Sequence, residues 1–125
     1  MILTSTKLKF TVFHNGVNPD QPLLYAWRVD DELIYIGKAS RGAHRPLTQY
    51  QRNVRNLLDG KPYRLNKPVK YRRIHHALAQ ATHKKRSIVL EYLCNASPDG
   101  LEDAEREAIL THRPACNGKL PLPSV

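Results

Sequence analysis

The chain has 125 residues, 41% hydrophobic and 25% charged, which fits one compact domain spanning 1–125 with enough apolar side chains for a core. A mean hydropathy of −0.53 and the lack of any long uncharged run exclude a membrane span. Met1-Ile2-Leu3-Thr4 has neither the charged start nor the apolar core of a signal peptide, so a cytoplasmic protein is expected.

In chain order, residues 7–13 alternate Leu8, Phe10 and Val12 on one face and read as a strand. Asn15-Gly16 and Pro19-Asp20 signal turns. Residues 22–29 (PLLYAWRV) and 32–37 (ELIYIG) are rich in β-formers and flank Asp30-Asp31, a hairpin pattern. Residues 38–44 read as a small basic loop, and Pro46 suits the first position of a helix over roughly 46–58, with Leu47, Tyr50, Val54, Leu57 and Leu58 as its stripe. Asp59-Gly60 ends it, and a polar connection follows over 61–68. A second helix is expected near 70–83, with Ile74, Ala77, Leu78 and Ala81 as its stripe. A strand follows over 87–93 (SIVLEYL). Ser97-Pro98-Asp99-Gly100 opens a third helix near 100–112, which Arg113-Pro114 stops. The order β-β-β-α-α-β-α predicts an α+β domain with a small mixed or antiparallel sheet of three or four strands flanked by helices.

The charge of +9 is unevenly spread. Residues 61–93 hold nine Lys and Arg against one acid, Glu91. A concentrated basic segment points to nucleic acid more than to other partners, although a solvated basic face gives the same composition. Cys94 and Cys116 have no C-x-x-C partner and read as ordinary buried thiols. The histidines share no zinc-ligand spacing with them. Of the adjacent His75 and His76, a pair on the helix surface is the preferred reading over a base-reading pair.

The third helix carries an oddity. Leu101, Ala104, Ala108, Ile109 and His112 define an apolar stripe with Glu105 inside it, while Glu102 lies at the rim and Glu107 points away. A carboxylate on such a face must be paired or bind a cation. The alternatives are a buried ion pair with an arginine and a ligand for a hard metal such as Mg²⁺. Tyr25 and Tyr35 add two phenols, Gly37 permits close approach at a strand end, and Lys38 and Arg45 bring cations beside that gap. Phosphodiester cleavage needs such parts: a group to act on water, a cation for phosphate charge, and a metal at the leaving oxygen.

Tyr25, the run Tyr35-Ile36-Gly37-Lys38, Arg45, and Glu105 with Asn117 inside E-x3-I-x4-P-x2-N together resemble the GIY-YIG nucleases, over residues 22–118. Leu23-Leu24-Tyr25 stands where the family has Gly-Ile-Tyr. The hairpin and the basic insertion resemble those of small phage members. The resemblance implies the GIY-YIG fold and a DNA endonuclease using Mg²⁺ (or Mn²⁺). Tyr25 and Tyr35 would line the site, one of them acting on the attacking water. Arg45 would bind the scissile phosphate; Arg41 is the alternative, because Gly42 and Pro46 depart from the family's loop-to-helix pattern. Glu105 would hold the metal and Asn117 would shape the site. Lys38 would lower a neighbouring phenol's pKa or touch phosphate. Residues 61–86 would be a DNA-gripping insertion, with Lys61, Arg64, Lys67, Lys70, Arg72, Arg73, Lys84, Lys85 and Arg86 on phosphates. Gly37, Arg41, Arg52 and Arg55 would extend that contact. Double-stranded DNA is the expected partner, no membrane is expected, and double-strand cutting implies a homodimer or homotetramer.

The hairpin sets a condition on this reading. A regular two-residue turn at Asp30-Asp31 pairs Tyr25 with Ile36 and sends Tyr35 to the other face. Both tyrosines share a face only if the loop is odd in length or a bulge lies near Asp30–Glu32. The competing readings are a non-catalytic nucleic-acid-binding module that keeps the fold, and a structural or protein-interaction domain with an incidental basic face.

Overall fold

The computed structural model describes residues 7–60 and 71–118. Seven elements follow in the expected order: β1 (Thr11–Phe13), β2 (Leu23–Val29), β3 (Glu32–Ala39), α1 (His44–Leu58), α2 (Arg73–His83), β4 (Ile88–Asn95) and α3 (Leu101–His112). The four strands form one mixed sheet in the order β1-β4-β2-β3. β1 runs parallel to β4, whereas β2 runs antiparallel to both β3 and β4. The domain is therefore α+β. Among the described residues, no helix is long and apolar enough to cross a membrane.

Alternation along the strands divides the apolar residues between two faces. Leu23, Tyr25, Trp27, Leu90 and Tyr92 face one side, where Tyr50 and Val54 of α1 and Ile74 and Leu78 of α2 complete the main core. Ala26 and Ile36 face the other side and pack on Ile109 of α3. The sheet thus lies between a layer of two helices and a layer of one. Trp27, at 0% exposure, anchors the first side and meets Phe10 and Tyr50 edge-on.

Several expected boundaries move for local reasons. The first strand is only Thr11–Phe13, because its register with β4 covers three residues. β3 continues through Lys38 and Ala39 into the expected loop, since Leu23 and Leu24 of β2 still have partners there. α1 begins at His44, two residues before Pro46. The first turn of a helix has no intrahelical partners for its N–H groups, so a proline inside that turn forfeits nothing. Gly42 precedes this start with φ +90°, and a Cβ there would lie 2.5 Å from the Pro19 carbonyl oxygen. α2 begins at Arg73 rather than near residue 70. α3 ends as expected: Arg113 adopts φ 47° and its N–H bonds the Ile109 carbonyl.

Three burial expectations fail. Cys94 is exposed and Cys116 only partly buried, so they are not a pair of core thiols. His112, placed on the α3 stripe, is exposed; the buried residues of the helix are Leu101 and Ile109. His75 is fully buried while His76 is exposed. The two adjacent side chains point about 100° apart on the helix, so only one can face the core.

Candidate active site

The hairpin meets its condition through a bulge. Asp30 and Asp31 form a two-residue turn with φ 50° and 69°, as a type I′ turn requires. Val29 pairs with Glu32 and Arg28 with Leu33. Then the register shifts, and Trp27 pairs with Tyr35, Ala26 with Ile36 and Tyr25 with Gly37. Ile34 is the extra residue, two positions beyond the place the sequence suggests. One inserted residue exchanges the faces of everything after it, and so Tyr35 joins Tyr25 and Trp27 on the α1–α2 side.

Gly37 has a different duty from the one expected. The space above it holds the Tyr25 ring, and a Cβ on Gly37 would lie 2.5 Å from both Cζ and Oη of that ring. The glycine accommodates a cross-strand tyrosine, not an approaching ligand, and both residues are buried.

Around Tyr25 the aromatic side chains form a hydrogen-bonded cluster. Tyr25 Oη and Tyr50 Oη lie 2.7 Å apart. Arg72 donates from Nη1 to Tyr35 Oη at 2.9 Å and from Nη2 to Tyr50 Oη at 3.3 Å. Its guanidinium carbon sits 5.7 Å and 5.8 Å from the centres of those two rings, within cation–π range. Behind it, the Nδ1 of His75 accepts the Arg72 backbone N–H at 3.1 Å, fixing the entry into α2. Burial, with the neighbouring Arg72 and His76 charges adding to it, pushes His75 down to about 4, so it is neutral at pH 7.

Burial also raises both hairpin phenols well above the ordinary tyrosine value, with Tyr50 adding to the effect and Arg72 opposing it. The expected lowering by Lys38 does not occur. Lys38 is exposed and acts on Glu105 instead. Glu105 is half-buried on α3. Burial raises its pKa first and Glu102 adds to this, while the Lys38 charge and a hydrogen bond from the Lys38 backbone N–H hold it down. Among the described residues, the ion pairs join Arg28 to Glu91, Arg86 to Asp30 and Arg106 to Asp103, and none reaches Glu105.

β3 is an edge strand, and its outward-facing backbone is covered by three groups. The Cys116 N–H donates to the Ile34 carbonyl at 2.9 Å. The Asn117 amide accepts the Ile36 N–H at 2.9 Å and donates to the Ile36 carbonyl at 2.8 Å. Glu105 takes the Lys38 N–H. These contacts stop the edge from pairing with another strand. They also gather residues from distant parts of the chain around one cleft of about 580 Å³, lined by Tyr35, Arg72, Arg73, Glu105, Ile109, Cys116, Asn117 and Gly118. The cleft straddles the sheet edge: Arg72 and Arg73 come from the α2 layer, and Glu105 comes from the α3 layer.

Tyr35, Glu105 and Asn117 thus line one cleft, and Tyr25 stands behind them in the core. Arg45 and Arg41 do not line the cleft. Arg45 is exposed in the first turn of α1 and donates from Nε to Gln49 at 2.8 Å, and Arg41 is exposed in the preceding turn. Arg52 and Arg55 lie on the outer side of α1. Arg73 bonds the Ala115 carbonyl at 3.0 Å and so ties α2 to the segment that carries Asn117. Lys84 and Arg86 line a smaller cavity of about 240 Å³ between the hairpin turn and the end of α2. Lys85 is exposed beside them. Lys61, Arg64, Lys67 and Lys70 lie outside the described residues.

Sequence reasoning missed the hydroxyl of Tyr50, and placed Arg72 among the expected phosphate contacts without its two tyrosine partners. Tyr50 reads as one more stripe residue, because its hydroxyl partners come from other elements. Arg72 left a signal: a cation stands at the N-cap of α2, where Ser, Thr, Asp or Asn is favoured and the helix dipole opposes positive charge.

Glu105 is also the residue that would hold a metal. Among the described residues no group of three or more His, Cys, Asp and Glu could hold one. Yet Mg²⁺ commonly takes one or two carboxylates, and water and substrate phosphate complete its shell. A half-buried carboxylate on a polar cleft, in none of the ion pairs among the described residues, fits that mode.

No family model, no curated protein and no solved structure matches this chain.

Proposed function

We propose that this chain is a metal-dependent DNA endonuclease. The observation that carries the reading is the meeting of Tyr35, Glu105 and Asn117, 82 positions apart in the sequence at their extremes, on one polar cleft at the sheet edge. A net charge of +9 favours a polyanionic substrate, and the arginines on one wall with a carboxylate on the other suit a phosphodiester accompanied by a divalent cation.

The roles follow from the geometry. Glu105 would hold Mg²⁺ or Mn²⁺, which when bound stabilises the leaving oxygen and acidifies water. Asn117 has both ends of its amide engaged with Ile36, so it positions the cleft wall and does not react. Tyr35 keeps its proton at neutral pH and orients by hydrogen bonding. Lys38 tunes Glu105. One cleft cuts one strand, so double-strand cutting would require a homodimer or homotetramer.

The exposed position of Arg45 favours a second reading, a nucleic-acid-binding module without cleavage. Incubating supercoiled plasmid and linear duplex with Mg²⁺ or Mn²⁺ separates the two. Nicking or cutting by the wild type, lost in Glu105→Ala with duplex binding retained, supports the nuclease. Salt-sensitive binding without cleavage under either metal supports the module.

A further inference from the structure

We propose that Arg72 is the phosphate-binding cation of the cleft, and that Tyr35 and Tyr50 form its cradle instead of carrying protons. The inference rests on the nuclease reading and names the residue of that site that grips substrate.

A guanidinium has five N–H donors in a fixed fork. Two point to Tyr35 Oη and Tyr50 Oη, which leaves three, on a residue that lines the cleft. Its charge has no carboxylate partner. Arg72 takes part in none of the ion pairs among the described residues, and all eleven Asp and Glu of the chain lie within those residues. An arginine held by two hydroxyls and without a counterion is a ready site for an anion. The N-terminus of α2 adds partial positive charge of the same sign. The cost of a cation at this helix end is thereby reversed once an anion occupies the cleft.

The surroundings hold the fork in place. Tyr35 and Tyr50 present both ring faces and hydroxyl oxygens to it. Tyr25 fixes Tyr50 at 2.7 Å, and His75 fixes the Arg72 backbone. Tyr35 accepts from Arg72 and so holds the guanidinium at the cleft that both residues line. Arg45, by contrast, is tied to Gln49 on the outer face of α1.

Two measurements test this. In plasmid cleavage with Mg²⁺, Arg72→Ala is expected to lose roughly 10²–10³-fold in rate, the scale of a lost transition-state donor. Arg72→Lys is expected to lose nearly as much, because an ammonium lacks the planar fork that reaches both hydroxyls and still presents paired donors to a phosphate. Added guanidinium is expected to restore part of the Arg72→Ala rate. Full activity in Arg72→Ala, or its loss in Arg45→Ala alone, overturns the assignment. The second measurement needs no cleavage and no variant. Inorganic phosphate is titrated into the wild-type protein while its arginine side-chain NMR signals are followed. A saturable shift of the Arg72 guanidinium supports the assignment even if no DNA is cut, in which case only the nuclease reading falls. No shift at Arg72 overturns the assignment whatever the cleavage assay gives.

Discussion

Tyr25 lies directly across the ladder from Gly37, and its ring occupies the space that any larger residue at 37 would need. The pair sets how closely the tyrosine cluster approaches the sheet, because Tyr25 Oη in turn bonds Tyr50. Gly37→Ala forces either the ring or the strand to move. Overpacking of this kind costs roughly 1–3 kcal/mol, so a drop of that size in chemical denaturation is expected. Loss of the Tyr25–Tyr50 contact, visible as altered tyrosine fluorescence, should accompany it. A fully stable variant with unchanged fluorescence would show that the close approach is not needed.

The hydroxyls should contribute unequally. Tyr25→Phe removes one buried hydrogen bond, worth about 1 kcal/mol. Tyr50→Phe removes that bond and the one from Arg72, and bonds to a charged group run to roughly 1.5–3 kcal/mol. Tyr50→Phe is therefore the more damaging, and the double variant should cost less than the two single costs combined, because one bond is shared. Urea denaturation of the three variants checks this. Cleavage by Tyr25→Phe should stay within a few-fold of wild type, since Tyr25 stands behind the cleft; a collapse in rate with stability intact would make it a reacting group.

These relationships show which parts of the site were legible in the sequence. The order of elements follows from periodicity, and of the α1 stripe Tyr50 and Val54 are buried while Leu47, Leu57 and Leu58 are partly buried against the same core. Tyr35, Glu105 and Asn117 came from the spacing of a family pattern. The pairing of Tyr35 with Trp27 did not, because a one-residue bulge at Ile34 leaves no local mark when Leu33, Ile34, Tyr35 and Ile36 all favour strands. His75 and His76 are indistinguishable until the start of α2 fixes which one points inward. Arg72 sits among other cations, so composition merges it with the basic run of residues 61–86, and only its hydroxyl partners from β3 and α1 set it apart.

His75 makes stability depend on pH. The folded chain holds it at about 4, against roughly 6.5 when unfolded. Between these values the unfolded chain binds the proton and the folded chain does not, so stability is full above pH 6.5 and falls as pH drops toward 4. At 1.36 kcal/mol per unit, the loss is about 3 kcal/mol. Denaturation midpoints measured from pH 7 to pH 4 should fall accordingly, and His75→Gln should flatten this part of the profile. An unchanged profile in the variant would assign the dependence to carboxylates.

Asn117 joins the β3 edge by two hydrogen bonds from one side chain. Asn117→Asp keeps the size but replaces the donor to the Ile36 carbonyl with a second acceptor, so it should cost more than Asn117→Ala, which costs about 1–3 kcal/mol. Hydrogen exchange offers the direct readout. The Ile36 and Cys116 amides should exchange faster together in both variants, while amides in the β2–β4 ladder keep their protection. Faster exchange throughout the sheet would mean that Asn117 supports the whole fold, not its edge.

The outer face of α1 should hold DNA without cutting it. The helix contains no Asp or Glu, and Arg45, Arg52 and Arg55 are all exposed on it. Ten residues from Arg45 to Arg55 span about 15 Å at 1.5 Å per residue, long enough to meet more than one phosphate. None of the three lines the cleft, so the contribution expected of them on the proposed reading is affinity and not chemistry. Each phosphate contact adds about 0.9 to the dependence of log K on log salt. Arg52→Ala and Arg55→Ala should each weaken duplex binding and lower that slope by about one, while the cleavage rate at saturating DNA stays unchanged. Anisotropy titrations at several salt concentrations, paired with single-turnover cleavage, separate the two effects. A variant that keeps its slope but loses rate would place that arginine at the reacting phosphate and displace Arg72 from it.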